Sequence, residues 1–186
     1  MKVWQHFCTI TRHRWLVRRH CFHVGLYWQG LTHDLSKYTP TEFLVGAKYY
    51  QGTRSPNAAE RIDKGYSEAW MHHKGRNKHH FEYWNDINRE TRRYESVPMP
   101  RRYVAESVMD RMAASKVYEG SKYTDASALN YLHRSNDPEL MHPESYRQIE
   151  FLLEYLARQG EQAVFHYIKN TFLRGEPLPW EENMEE

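Results

Sequence analysis

The sequence predicts an all-α fold, a single-domain helical bundle. Two observations lead there. Apolar residues return at spacings of three and four along most of the chain, the period of a helix with one buried face. No segment alternates apolar and polar residues over the length of a strand, and no internal repeat or low-complexity stretch is present. At 186 residues the chain can bury a core of its own without disulfide staples.

Taken in order, Val3, Phe7, Ile10, Arg14, Val17, Cys21, Val24 and Trp28 form the stripe of a first helix. Gly25 and Gly30 loosen its end, and a break near residue 20 would divide it in two. A second helix includes Thr32–Lys37. Thr39-Pro40-Thr41-Glu42 reads as a fresh N-terminus, with Pro early and Glu in the first turn, for a helix through Phe43, Ala47 and Tyr50. Gly52–Asn57 reads as a loop, and the wider stretch Gly52–Gly65 as one that shapes a pocket. Helices follow at about Tyr66–His73 and Phe81–Arg92. Pro98 and Pro100 make a turn before a helix Tyr103–Tyr118. Pro143 opens a helix through Ala157, and Gly160 separates it from a last one ending near Leu173.

Charge is unevenly spread. Residues 1–122 hold 21 Lys+Arg and 12 Asp+Glu, while residues 123–186 hold 5 and 12, so a +9 part precedes a −7 part. We expect residues 1–122 to form the core that carries a site, 123–175 to form helices packed on it, and 176–186 to be a flexible acidic tail. A basic unit suits a small anionic, phosphate-containing partner, with nucleic acid less favoured. Two cysteines, Cys8 and Cys21, both in a helical pattern, fit a reducing, cytoplasmic compartment. The longest uncharged apolar run, Cys21–Leu31, is far below the ~18–20 residues of a membrane span, so no membrane partner is expected.

The odd number is twelve histidines, because imidazole is both the commonest metal ligand and the usual acid–base group near neutrality. Three constellations stand out. In His33-Asp34-Leu35-Ser36-Lys37, adjacent His and Asp offer a nitrogen and a carboxylate ligand. On a helix Lys37 would share the face of His33 and meet a metal-bound anion. The bland alternative is a helix start with a solvated lysine. In the run from His72 to His80, four histidines and three cations fall within nine residues. If helix continues, His73, Asn77 and His80 share one face and His72 and His79 another. Lys74 and Arg76 would sit where a phosphate oxygen goes. A solvated basic loop is the alternative. Third, Glu106 and Asp110 lie four apart on one helix, where a surface ion pair with Arg111 would serve as well.

The order of these features resembles the HD-domain superfamily of metal-dependent phosphohydrolases: a His on a first helix, a His-Asp pair, further histidines, then a distant Asp. More closely, the segments GLYWQGLTHDLSKYTPTEF, AWMHHKGRNKHHFEYW and MPRRYVAESVMDRMAASKVY resemble an uncharacterised DUF5662-type family of small bacterial and phage proteins. The resemblance implies a helical bundle with two divalent transition ions (Mn, Fe, Zn, Ni or Co). It implies ligands among His13, His33, Asp34, His72, His73, His79, His80 and Asp110, with His20 as the substitute for His13. Asp34 and Lys37 would be catalytic. Lys37, Lys74, Arg76 and Asn77 would bind substrate. The implied activity is two-metal hydrolysis of a nucleotide or small phosphoester. The alternatives are an HD-type di-iron oxygenase and a non-enzymatic, metal-stabilised binding module.

Overall fold

In a computed structural model, describing residues 1–135 and 137–181, the chain is almost wholly helical. Ten α-helices and one two-stranded hairpin occur among the described residues. In order they are α1 Lys2–His23, α2 Tyr27–Thr32, α3 Pro40–Tyr49, α4 Pro56–Lys64 and α5 Glu68–Lys74. The strands β1 Asn85–Ile87 and β2 Tyr94–Ser96 follow. Then come α6 Arg101–Glu119, α7 Ser127–Arg134, α8 Asp137–Leu140, α9 Pro143–Gln159 and α10 Glu161–Asn170. The all-α expectation holds. No helix among the described residues is long and apolar enough to cross a membrane.

The core is built on α6. Val104, Ala105, Val108, Met109, Met112 and Ala113 leave no surface exposed, so this helix is wrapped on most sides. Val17 and Cys21 of α1 meet it from one side. Leu132 of α7, Ile149, Leu152, Leu153 and Leu156 of α9, and Val164 and Ile168 of α10 meet it from the other. Burying one such Leu or Ile stabilises by roughly 1.5–3 kcal/mol relative to exposure. One continuous apolar cluster therefore ties the basic N-terminal part to the acidic C-terminal helices.

Several elements differ from the sequence expectation. The stripe of α1 is rotated. Val3 and Phe7 are exposed, as is Trp28 beyond the helix, and the buried residues are His6, Ile10, His13, Val17, His20 and Cys21. His6, His13 and His20, seven apart, thus lie on the inner face. The helix also runs unbroken to His23 and stops where Gly25 adopts φ +85°. The helix expected over Thr32–Lys37 is interrupted. α2 ends at Thr32, Asp34 takes a left-handed φ of 54°, and Leu35–Tyr38 is a single 3₁₀ turn. Asp tolerates that backbone better than most residues because its short side chain can bond locally.

The stretch Gly52–Gly65 is not all loop, since α4 occupies most of it. Ser55 Oγ accepts from Asn57 N at 3.4 Å, Pro56 starts the helix, and Gly65 at φ +82° ends it. A proline at the first helical position and a left-handed glycine after the last are the start and stop signals of a helix. The helix expected over Phe81–Arg92 is a 3₁₀ turn and the hairpin, with Asn85 opposite Ser96 and Ile87 opposite Tyr94. Asn88 Oδ1 accepts from the amides of Glu90 and Thr91, and this side chain organises a turn rather than a helical face.

At the C-terminal end, the start of the expected flexible tail is packed. Leu178 is fully buried, Trp180 meets Phe151 edge-on, and Glu181 pairs with Arg101 at 3.2 Å. The last five residues of that tail, 182–186, lie outside the described residues.

Candidate metal centre

Five elements deliver side chains to one point. α1 supplies His13 from its inner face. The break between α2 and the following 3₁₀ turn supplies His33 and Asp34. The C-terminal end of α5 supplies His73, and the turn after it His79 and His80. α6 supplies Asp110. The left-handed backbone of Asp34 separates its carboxylate from the direction of a regular helix. Asp34 is fully buried and stands at the middle of the cluster.

The ligand atoms sort into two groups that share Asp34. In the first, Nε2 of His13 and Nε2 of His33 lie 3.5 and 3.4 Å from Asp34 Oδ2, and 2.9 and 3.3 Å from Asp110 Oδ1. In the second, Nε2 of His73 and Nε2 of His79 lie 3.2 and 3.5 Å from Asp34 Oδ1, and His80 completes the set. Donors each about 2.0–2.2 Å from a common ion are separated by roughly 3.0–3.6 Å, so both groups fit a first-row divalent ion. Nε2 of His13, His33, His73, His79 and His80 and Oδ1 of Asp34 are buried without a hydrogen-bond partner. Buried polar atoms are rarely left so, and six of them converging on two points fit metal ions as the missing partners.

Behind the ligands stands a second tier that sequence reasoning did not assign. His33 Nδ1 and His79 Nδ1 donate to Glu106 Oε1 at 2.9 and 3.2 Å. His72 Nδ1 and His73 Nδ1 donate to the two oxygens of Glu42, each at 2.7 Å. A carboxylate on Nδ1 fixes the tautomer that leaves Nε2 with a free lone pair. Glu106 was noticed only for its spacing from Asp110, and Glu42 only as a first-turn acid on α3. Neither position carries a local signal of its role, because the contact spans 73 residues for His33 and 31 for His73.

The electrostatics follow from burial among opposite charges. Burial works against the charged form of Asp34, yet His33, Lys37 and His73 hold its carboxyl well below the usual range. Glu106 resists burial in the same way and is drawn down to about 2 by His33 and His79. His80, buried beside His79 and His73, is pushed well below the ordinary imidazole value and is neutral, as a ligand must be.

The other expected site residues fall in different places. Lys37 does reach the centre: its Nζ lies 2.6 Å from Asp34 Oδ2. Through the 3₁₀ turn it does so as the third residue after Asp34, not as the helical partner of His33. His72 lies outside both groups of ligand atoms, and its Nδ1 donates to Glu42. Asn77 buttresses the centre: its Nδ2 donates to Ser36 Oγ at 2.9 Å and to the His73 carbonyl at 2.8 Å. Arg76 turns outward and donates to the carbonyl of His72 at 3.2 Å. Lys74 is half-buried on α5, and among the described residues no hydrogen bond or ion pair joins it to the centre. Both changes follow from α5 ending at Lys74, which breaks the phase that would have carried these cations inward. His20, the substitute for His13, points elsewhere, with Nδ1 3.3 Å from the Met109 carbonyl and Nε2 accepting from Lys116 at 3.2 Å.

The centre is reached from one side. The side chains of His33, Asp34, His73 and His79 expose 2% or less, whereas Asp110 and Lys37 expose 16% and 29%. The fold and this cluster define an all-α protein with a buried, two-part histidine–carboxylate centre able to hold metal. The chain belongs to a family of unknown function, DUF5662, whose match covers residues 2–155 and so includes every residue of the centre. No curated protein and no solved structure shows significant similarity to it.

Proposed function

We propose that this chain is a metal-dependent phosphohydrolase of the HD-domain type, acting on a nucleotide or small phosphoester with two divalent transition ions. Asp34 carries the reading: a fully buried carboxylate whose two oxygens face two separate sets of imidazoles. His13, His33, Asp34 and Asp110 would hold one ion, and Asp34, His73, His79 and His80 the other. Ions held there supply Lewis acidity toward a phosphoryl oxygen and a water of near-neutral pKa.

The chain's own groups do the rest. Lys37 places an ammonium on the accessible side of the centre, next to Asp34, where it neutralises charge on the phosphoryl oxygens of a bound ester. Glu42 and Glu106 hold three ligand rings in orientation. Burial of the far side excludes water and directs the substrate past Asp110 and Lys37. Histidine and carboxylate ligands without thiolate suit Mn, Fe, Zn, Ni or Co.

Tag-free protein should carry about two transition ions per chain by elemental analysis, and finding none overturns the reading. A panel of phosphoesters with manganese under argon should show turnover. Turnover that demands oxygen would transfer the centre to the di-iron oxygenases. Asp34→Ala should remove the metal and the turnover together.

A further inference from the structure

Helix α1 has two functional faces, and the centre uses only the inner one. On the outer face Trp4 and Trp15 expose 68% and 53% of their surface, beside Phe7 and Cys8. Arg12, Arg18 and Arg19 are exposed on the same helix. α2 lies along it: Arg14 donates to the Leu31 carbonyl at 3.3 Å, and a Cβ on Gly30 would stand 3.2 Å from the Arg18 carbonyl. α2 adds Tyr27, Trp28 and Leu31 to the exposed apolar surface, with Trp28 exposing 75%. At the N-terminal end Met1, Val3, Trp4, Phe7 and Phe43 line a hollow of about 400 Å³ with no charged side chain in its wall. Exposed indoles interspersed with arginines along one pair of helices suit a docking surface.

The charge around it has one sign. Residues 1–59 contain eight Lys+Arg and only two acids, Asp34 and Glu42, both of which are buried. This part of the chain therefore presents cations and no exposed carboxylate. Because the face is uniformly positive, a second copy meeting it about a two-fold axis would repel itself.

We propose that the outer face of α1 and α2 docks on a bilayer surface containing anionic lipid. Tryptophans flanked by arginines sit at the headgroup level of such a surface, with the indoles in the interfacial layer and the guanidinium groups on phosphates. The hollow at Met1 and Phe43 receives an acyl segment. Each cation near the surface multiplies partitioning about fivefold. A single-stranded nucleic acid fits less well, because base stacking needs open ring faces. Here Arg19 covers Trp15 at 4.7 Å and Trp4 is stacked on Phe7 at 5.5 Å, which leaves Trp28 as the one of these three tryptophans without such a cover. The aliphatic members, Val3 and Leu31, offer nothing to a base.

Sedimentation of the full chain with vesicles tests this, independently of the metal reading. Binding to phosphatidylcholine vesicles containing about one-third phosphatidylserine should exceed binding to pure phosphatidylcholine by at least about tenfold, and should weaken with salt. Arg18→Glu with Arg19→Glu should lower it at least tenfold, and Trp4→Ala with Trp28→Ala several-fold, with helical circular dichroism and metal content unchanged. Should the glutamate pair unfold, Arg18→Gln with Arg19→Gln keeps the stems and should still lower binding. Equal binding to both vesicle types, variants that bind like the parent, or capture of a single-stranded oligonucleotide without vesicle binding would each overturn the proposal.

Discussion

Glu106 accepts from two imidazoles at once, one in each ligand group, so its carboxylate orients both halves of the centre from behind. Glu106→Gln keeps the shape and removes the charge. We expect metal affinity to fall about 10–100-fold, with the fold intact, measured by calorimetric titration of the stripped protein. His20 carries a different prediction. Burial, then Lys116, presses its pKa down to about 4 from 6.5, with Glu161 and the Met109 carbonyl pulling the other way and His23 adding a small push downward. The native chain therefore refuses a proton that the unfolded chain accepts. Stability is full above about pH 6.5 and is lost as pH falls toward 4, about 3 kcal/mol from this group. Melting with a chelator present should show a smaller loss of Tm between pH 7 and pH 5 in His20→Gln than in the parent.

At the scale of elements, α1 and α3 meet through an absence. The imidazole of His6 lies so close to Gly46 that a Cβ there would overlap its Nε2 and Cε1, with Phe43 and Tyr50 bounding the ring. Gly46→Ala should cost about 1–3 kcal/mol in denaturant unfolding, by displacing His6 rather than by any backbone strain. The same contact shows what sequence periodicity could and could not reveal. Spacing marked α1, α3, α6, α9 and α10, because each buries a face whose residues recur at the helical period. It found Ile10, Val17 and Cys21 on the inner face of α1 but missed three buried histidines beside them, which a hydrophobic count scores as surface. His33, Asp34 and Asp110 were readable from motif and order. His72 against His73 was not, since the choice depends on which imidazole turns its Nε2 to Asp34, a residue on a distant segment. The hairpin strands are three residues each and bury little, so they leave almost no period to read.

For the whole molecule, loading the centre should raise stability by mass action. Metal at 100 times its dissociation constant contributes about 2.7 kcal/mol per site, so removing both ions by chelation should lower Tm by roughly 10–20 °C for a domain of this size. Scanning calorimetry with and without a chelator checks this, and an unchanged Tm would count against ligation by the buried cluster. The chain order of the ligands carries a kinetic consequence. They run from residue 13 on the first helix to residue 110 on the central one, so the cluster is complete only when distant segments have docked. A transition state still lacking those long loops holds few of the ligands together. Metal in excess should then leave the refolding rate nearly unchanged and slow unfolding, which stopped-flow chevrons would display as a shift of one limb only. Bound ions would act as a latch set at the last step of folding, and their off-rate would govern how long the native chain survives.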